Sequence, residues 1–223
     1  MRWQAILGGA GALLGLWSAS VLAQPVCSFK NLQVVAASQL DATAVCEGAS
    51  PALWFLDEHG LSLKEPVVLH VSPVLPKKHP KTAAGVYLSE SRQIHMLSFS
   101  AFQKFENWFK TPINRETYIG LATHEVAHAI TDKHFKVDKP SVHAREYLAY
   151  VTLFATVPTR QREQMLLALP GQTPEDEARL SLMVYLMDPM FFGAQAYRHF
   201  MSLSHPAQIA FLDAVLSGKV FAD

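Results

Sequence analysis

The chain has 223 residues, half of them hydrophobic, which is room for one domain, or one domain with a helical extension, built on a real core. Basic and acidic side chains balance at 19 each. That balance excludes a basic field of the kind that binds nucleic acid and an acidic field aimed at cationic partners.

The first residues read as an address. Arg2 supplies a positive end, Ala5 to Trp17 is apolar, Ser18 to Ser20 is polar, and Val21-Leu22-Ala23 places small residues before Gln24. We therefore expect a signal peptide over residues 1–23, cleavage after Ala23, and a periplasmic or secreted product. The apolar run is shorter than the roughly 20 residues that a membrane span needs. No later run is long enough either, so no membrane span is expected after cleavage. Branched Val26 before Cys27 argues against a lipoprotein site, which wants a small residue there.

Cys27 and Cys46 are the two cysteines of the chain. In an exported protein they are expected to form a disulfide, which would contribute about 3 kcal/mol in the chain-entropy account and tie down the start of the mature chain. Residues 24–223 read as a single domain, β-containing to about residue 98 and helical from about residue 99.

Within the first part, "SPALWFLDEHG" predicts a short helix stopped by Gly60, and "PVVLHVSP" a strand between Pro66 and Pro73. A basic, proline-containing loop follows. "GVYLSESRQIHMLS" then predicts two strands, Val86 to Leu88 and Gln93 to Leu97, around a polar turn.

From Phe99 the pattern turns helical, with Phe102, Phe105 and Phe109 at helical spacing, after which Pro112 and Asn114 open a helix. Along that helix Ile119, Ala122, Val126 and Ile130 form one apolar stripe, predicted to pack on the sheet. Further helices are expected at Val142 to Val157, Thr159 to Leu169, Thr173-Pro174 to Asp188, Met190 to Leu203 and Pro206 to Leu216.

The helix after Asn114 carries "THEVAHAITDKHF". His124 and His128 are four residues apart, so they stand one above the other on a single helical face, roughly opposite the apolar stripe. Two neutral imidazoles so placed can reach one metal ion, and Glu125 between them can take a proton from water at that metal. "HEVAH" is thus a full HExxH match.

Two residues compete to be the third ligand. Glu146 lies in "VHAREYLAYVTLFATV", on a face with Val142, Ala149, Tyr150 and Leu153 and with no further charge until Arg160. A carboxylate on so apolar a helix is costly to bury unless a cation compensates, and a metal held by two histidines supplies one. His134 gives the alternative spacing HExxHxxxxxH, the register of the metzincin proteases. Those enzymes carry glycine three residues after the second histidine, where the chain must turn at positive φ. Here that position is the β-branched Thr131. "SLMVY" resembles the metzincin methionine turn, but it falls within the helix expected from Pro174, which makes Met183 a core residue.

HExxH followed by a second helix with "EYLAYV" resembles the gluzincin class of zinc peptidases, thermolysin-like enzymes and small peptidase domains included. The resemblance covers Tyr118 to Val157. It implies an α+β, zincin-like fold, with a small N-terminal sheet whose edge strand could bind an extended substrate, the active-site helix, and a mostly helical C-terminal part. It also implies Zn2+ held by His124, His128 and Glu146, with Glu125 as general base and then general acid. Tyr147 stands where the family carries glycine after the ligand glutamate.

The expected activity is therefore hydrolysis of peptide bonds through a zinc-bound water, with peptides or proteins as substrates. The oxyanion donor is open among Tyr150, Tyr185, Tyr197 and His199. A non-catalytic protein with a structural zinc is the alternative from another class. Glu125 argues for catalysis, since a structural site has no use for a base.

Overall fold

A computed structural model describes residue 27 and residues 29–76, 83–174 and 180–221. The expected signal peptide lies outside the described residues, as does part of the basic loop. The protein is a mixed α/β structure with one small main sheet and several helices that share a continuous buried core.

Strand β1 (Leu32–Ala36) is followed by helix α1 (Gln39–Glu58) and strand β2 (Val67–Ser72), which pairs parallel to β1. Strands β3 (Gly85–Leu88) and β4 (Gln93–Leu97) form an antiparallel hairpin. Because β4 pairs parallel to β2, the order is β1-β2-β4-β3, with β3 as an edge strand. Leu32, Val34, Val67, Leu69, Ile94 and Met96 are buried on the inner face. On the outer face His70 stacks on His95 and Val35 is exposed, which is the period-2 alternation of a sheet covered on one side.

Helix α1 corrects the expected short helix: it begins at Gln39, capped by Ser38, which accepts from the Asp41 N–H. Pro51 sits inside it rather than at its start. An internal proline costs roughly 3 kcal/mol. Burial of Val45, Ala49, Ala52 and Leu56 along one stripe offsets that cost. Beyond its last turn Gly60 adopts φ +77°, which ends the helix as expected.

A second correction concerns the phenylalanines after Phe99. Helix α2 (Phe99–Phe102) is a single turn. The chain then forms a two-residue hairpin, β5 (Asn107–Trp108) with β6 (Thr111–Pro112), turning at Phe109 and Lys110 with φ of 52° and 54°. Phe109 is fully buried, edge-on to Phe154 and Tyr150. Tertiary aromatic packing, not helical periodicity, explains the spacing of these rings.

Helix α3 (Arg115–Asp132) starts with a reciprocal cap, in which the Asn114 side chain accepts from the Thr117 N–H and Thr117 Oγ1 accepts from the Asn114 N–H. It packs on α1, on the hairpin β3-β4 and on α4 (Val142–Thr156). At the α1 crossing a Cβ on Gly48 would collide with the Ile119 carbonyl, while Thr123 Oγ1 donates to the Gly48 carbonyl at 2.9 Å. Helix α3, whose stripe is expected on the sheet, packs chiefly on α1 rather than on the sheet. Its opposite face is not open either, because His124 and Glu125 are buried as well.

Helices α5 (Thr159–Ala168), α6 (Leu182–Met187), α7 (Pro189–Ser202) and α8 (His205–Leu216) complete the chain. The helix expected from Thr173-Pro174 to Asp188 falls partly on 175–179, outside the described residues, and is corrected in its described part, where α6 begins only at Leu182. Ser181 caps α6 from an extended conformation, and Met183, expected in the core, is 64% exposed. Among the described residues no helix is long and apolar enough to cross a membrane.

Candidate metal centre

The cap at Asn114 sets the phase of α3, and four-residue spacing then stacks His124 and His128. Their rings are perpendicular, 4.7 Å apart, with the two Nε2 atoms at 3.1 Å. Helix α4, capped by Ser141, brings Glu146 across from them. Glu146 Oε2 lies 3.4 Å from His124 Nε2, and Oε1 lies 3.5 Å from His128 Nε2. The three side chains can hold one metal ion, their ligand atoms lying within 4.8 Å of one another. In tetrahedral zinc sites with bonds of about 2.0–2.2 Å, ligand atoms stand roughly 3.4 Å apart. Each imidazole nitrogen has one Glu146 oxygen at about that separation, Oε2 for His124 and Oε1 for His128, so the group is of a size to close around one metal ion.

Burial shapes the charges here. It pushes the Glu125 carboxyl up to about 7, against the pull of His124 and with a further push from Glu146. It likewise pushes His128 down to about 4, leaving that imidazole neutral and its lone pair free for a metal. Desolvation opposes the proton on His124, yet the bond and charge of Glu146 outweigh it and raise this histidine. The Glu146 carboxyl is held low despite its own burial, through His128, His124 and Arg145. His124 Nδ1 and Glu125 Oε2 are buried without a hydrogen-bond partner. The unpaired Glu125 oxygen leaves an acceptor free beside the metal-binding group, whereas His124 Nδ1 lies on the ring edge away from Nε2.

The site opens into a cleft of about 550 Å³. Its floor is α3 and one wall is the edge strand: Gly85 packs against Glu125, while Tyr87 and Ser89 donate to the Asp132 carboxylate at 3.2 and 2.8 Å. Another wall is α4, with Val142, Arg145 and Tyr150.

The residues named from sequence divide as follows. His124, Glu125, His128 and Glu146 come together. His134 does not: it lies past the end of α3, with Nε2 2.8 Å from the Ser62 carbonyl oxygen. Thr131 stays helical, its hydroxyl donating to Ala127 O. Of the four oxyanion candidates, Tyr150 and Tyr185 line the cleft, and the Tyr150 ring is 4.5 Å from that of His124. Tyr197 stacks on Phe154, and His199 is buried with Nδ1 2.9 Å from the Tyr147 hydroxyl, so neither of these belongs to the cleft lining. Gly85, Tyr87, Asp132 and Arg145 went unnoticed in the sequence. Only Arg145, next to Glu146, carried a signal of its position.

Fold and site together define a mixed α/β protein with a candidate metal-binding group of two histidines and a glutamate on adjacent helices. The chain belongs to a family of unknown function, DUF6639, which matches residues 32–223. No curated protein and no solved structure matches it.

The disulfide expected from sequence is present, joining Cys27 to Cys46 and so fastening the segment before β1 to the middle of α1.

Proposed function

We propose that this protein is an exported zinc-dependent metallopeptidase of gluzincin type, with a zincin-like fold. The observation that carries the proposal is the convergence of His124, His128 and Glu146 beside a buried glutamate whose Oε2 has no protein partner. A structural site would have no need of that free carboxylate oxygen in the floor of a cleft. The disulfide supports export, since such bonds persist in oxidising compartments.

His124, His128 and Glu146 would hold the zinc, which when bound would supply Lewis-acid chemistry at a peptide carbonyl and an acidified water. With the metal bound, Glu125 would accept a proton at Oε2 and return it to the leaving amine, the unpaired oxygen beside the site being placed for both transfers. Tyr150 and Tyr185, kept protonated by burial, can donate to the developing oxyanion. The antiparallel edge strand β3 offers backbone groups along the cleft to an extended peptide.

Metal analysis of the mature protein, followed by digestion of an unbiased peptide library with Glu125→Gln as control, tests the reading. Zinc near one equivalent in both proteins and cleavage by the parent alone are expected. Zinc without cleavage in the parent would favour the non-catalytic alternative.

A further inference from the structure

Two carboxylates of the cleft face protein groups: Glu146 faces the two imidazoles, and Asp132 accepts from Tyr87 and Ser89, while Glu125 Oε2, held beside the metal site, has no hydrogen-bond partner among the described residues. The cation of the cleft has no such partner. Arg145 is the sole lysine or arginine lining it among the described residues. It is exposed, and among the described residues its side chain forms no ion pair and no hydrogen bond. A guanidinium recruited merely to neutralise Glu146 would be in contact with that carboxylate, whose oxygens turn to the histidines instead.

The placement of Arg145 is dictated by α4. It precedes Glu146, so the helix that presents the metal-site carboxylate also presents the guanidinium, close enough for its charge to be felt at His128, Glu146 and Tyr185. Val142, one turn earlier on α4 and 41% exposed, lines the same cleft, as does Phe135. This combines an apolar surface with a planar fork of unused N–H donors. The partner that such a fork matches in charge and geometry is a carboxylate.

Resting on the peptidase reading, we propose that Arg145 is a specificity-determining residue that binds a carboxylate of the substrate, so that the cleft selects peptides bearing one within reach of the scissile bond. The carboxylate comes either from an Asp or Glu side chain or from a free C-terminus.

The test uses the zinc-loaded mature protein and matched peptides, Asp or Glu against Asn or Gln at each position near the cleaved bond, and free against amidated C-termini. The parent is expected to favour carboxylate-bearing members by about tenfold or more in kcat/KM, chiefly through KM. Arg145→Gln should erase the preference while keeping its zinc, and Arg145→Lys should retain part of it. The arm that shows the preference identifies the source of the carboxylate. No preference in the parent, or an undiminished one in Arg145→Gln, overturns the proposal. If the parent cleaves nothing, the peptidase reading fails separately, and equilibrium binding of the same pairs to zinc-loaded protein decides. Tighter binding of the carboxylate member, abolished in Arg145→Gln, sustains the role of Arg145; equal binding or none removes it.

Discussion

Gly85 on the edge strand and Glu125 on α3 are in such close contact that a Cβ at residue 85 would stand 2.5 Å from Glu125 Oε1 and 2.7 Å from its Cδ. The strand therefore sets the position of the glutamate. Gly85→Ala is expected to displace Glu125 while leaving His124, His128 and Glu146 untouched. Turnover should fall by roughly tenfold to a hundredfold, as small displacements of a catalytic group do, with zinc content unchanged. Kinetics paired with metal analysis checks this, and parent-like turnover would show that strand and glutamate are not coupled.

Removing the carboxylate itself should have a larger effect. Glu125→Gln preserves size and touches no ligand, so zinc should stay near stoichiometric while hydrolysis drops by at least about a hundredfold. Unchanged turnover would contradict the assigned role of base.

Glu146→Ala and His134→Ala should part company in metal affinity. Glu146 faces both imidazoles, whereas His134 bonds the Ser62 carbonyl. The first variant should bind zinc far more weakly than the parent, and the second almost as the parent does. Zinc dissociation constants measured at one pH decide between them. The reverse order would require the metzincin arrangement.

Metal uptake should also release a proton. Glu146 raises the affinity of His124 for its proton in the metal-free protein, and a ligand nitrogen must give that proton up to the metal. The sign follows directly: as pH falls and His124 becomes protonated, zinc affinity weakens. Calorimetric titration in buffers of different ionisation enthalpy measures the release, and no linkage to pH would refute it.

The Cys27–Cys46 bridge closes a loop of sequence separation 19 that lies outside the metal centre. A Cys27→Ser/Cys46→Ser double variant should lose about 3 kcal/mol of stability, less any strain relieved. Its zinc affinity should be close to that of the parent. Denaturant unfolding and zinc titration of the same preparation test the two halves of this statement independently.

The elements legible in the sequence are those whose signals are local. Asn114 with Thr117 caps α3, the four-residue spacing of His124 and His128 follows from helix geometry, and Glu146 stands out as a carboxylate on an apolar helix. The strands at Val67 and Gln93 show alternation and bounding turns within a few residues. The cysteines could be paired because the chain has no others. Tertiary structure decided whatever joins distant segments. Helix α1 runs through Pro51 because its buried stripe meets α3, and the aromatic residues near Phe109 form a hairpin because their rings fill space beside α4. Packing also set β3 against Glu125, tied Tyr87 and Ser89 to Asp132, and turned Arg145 into the cleft. Periodicity within one element reports which face is apolar. Which element will cover that face depends on burial and shape complementarity between residues far apart along the chain, and no local spacing encodes it.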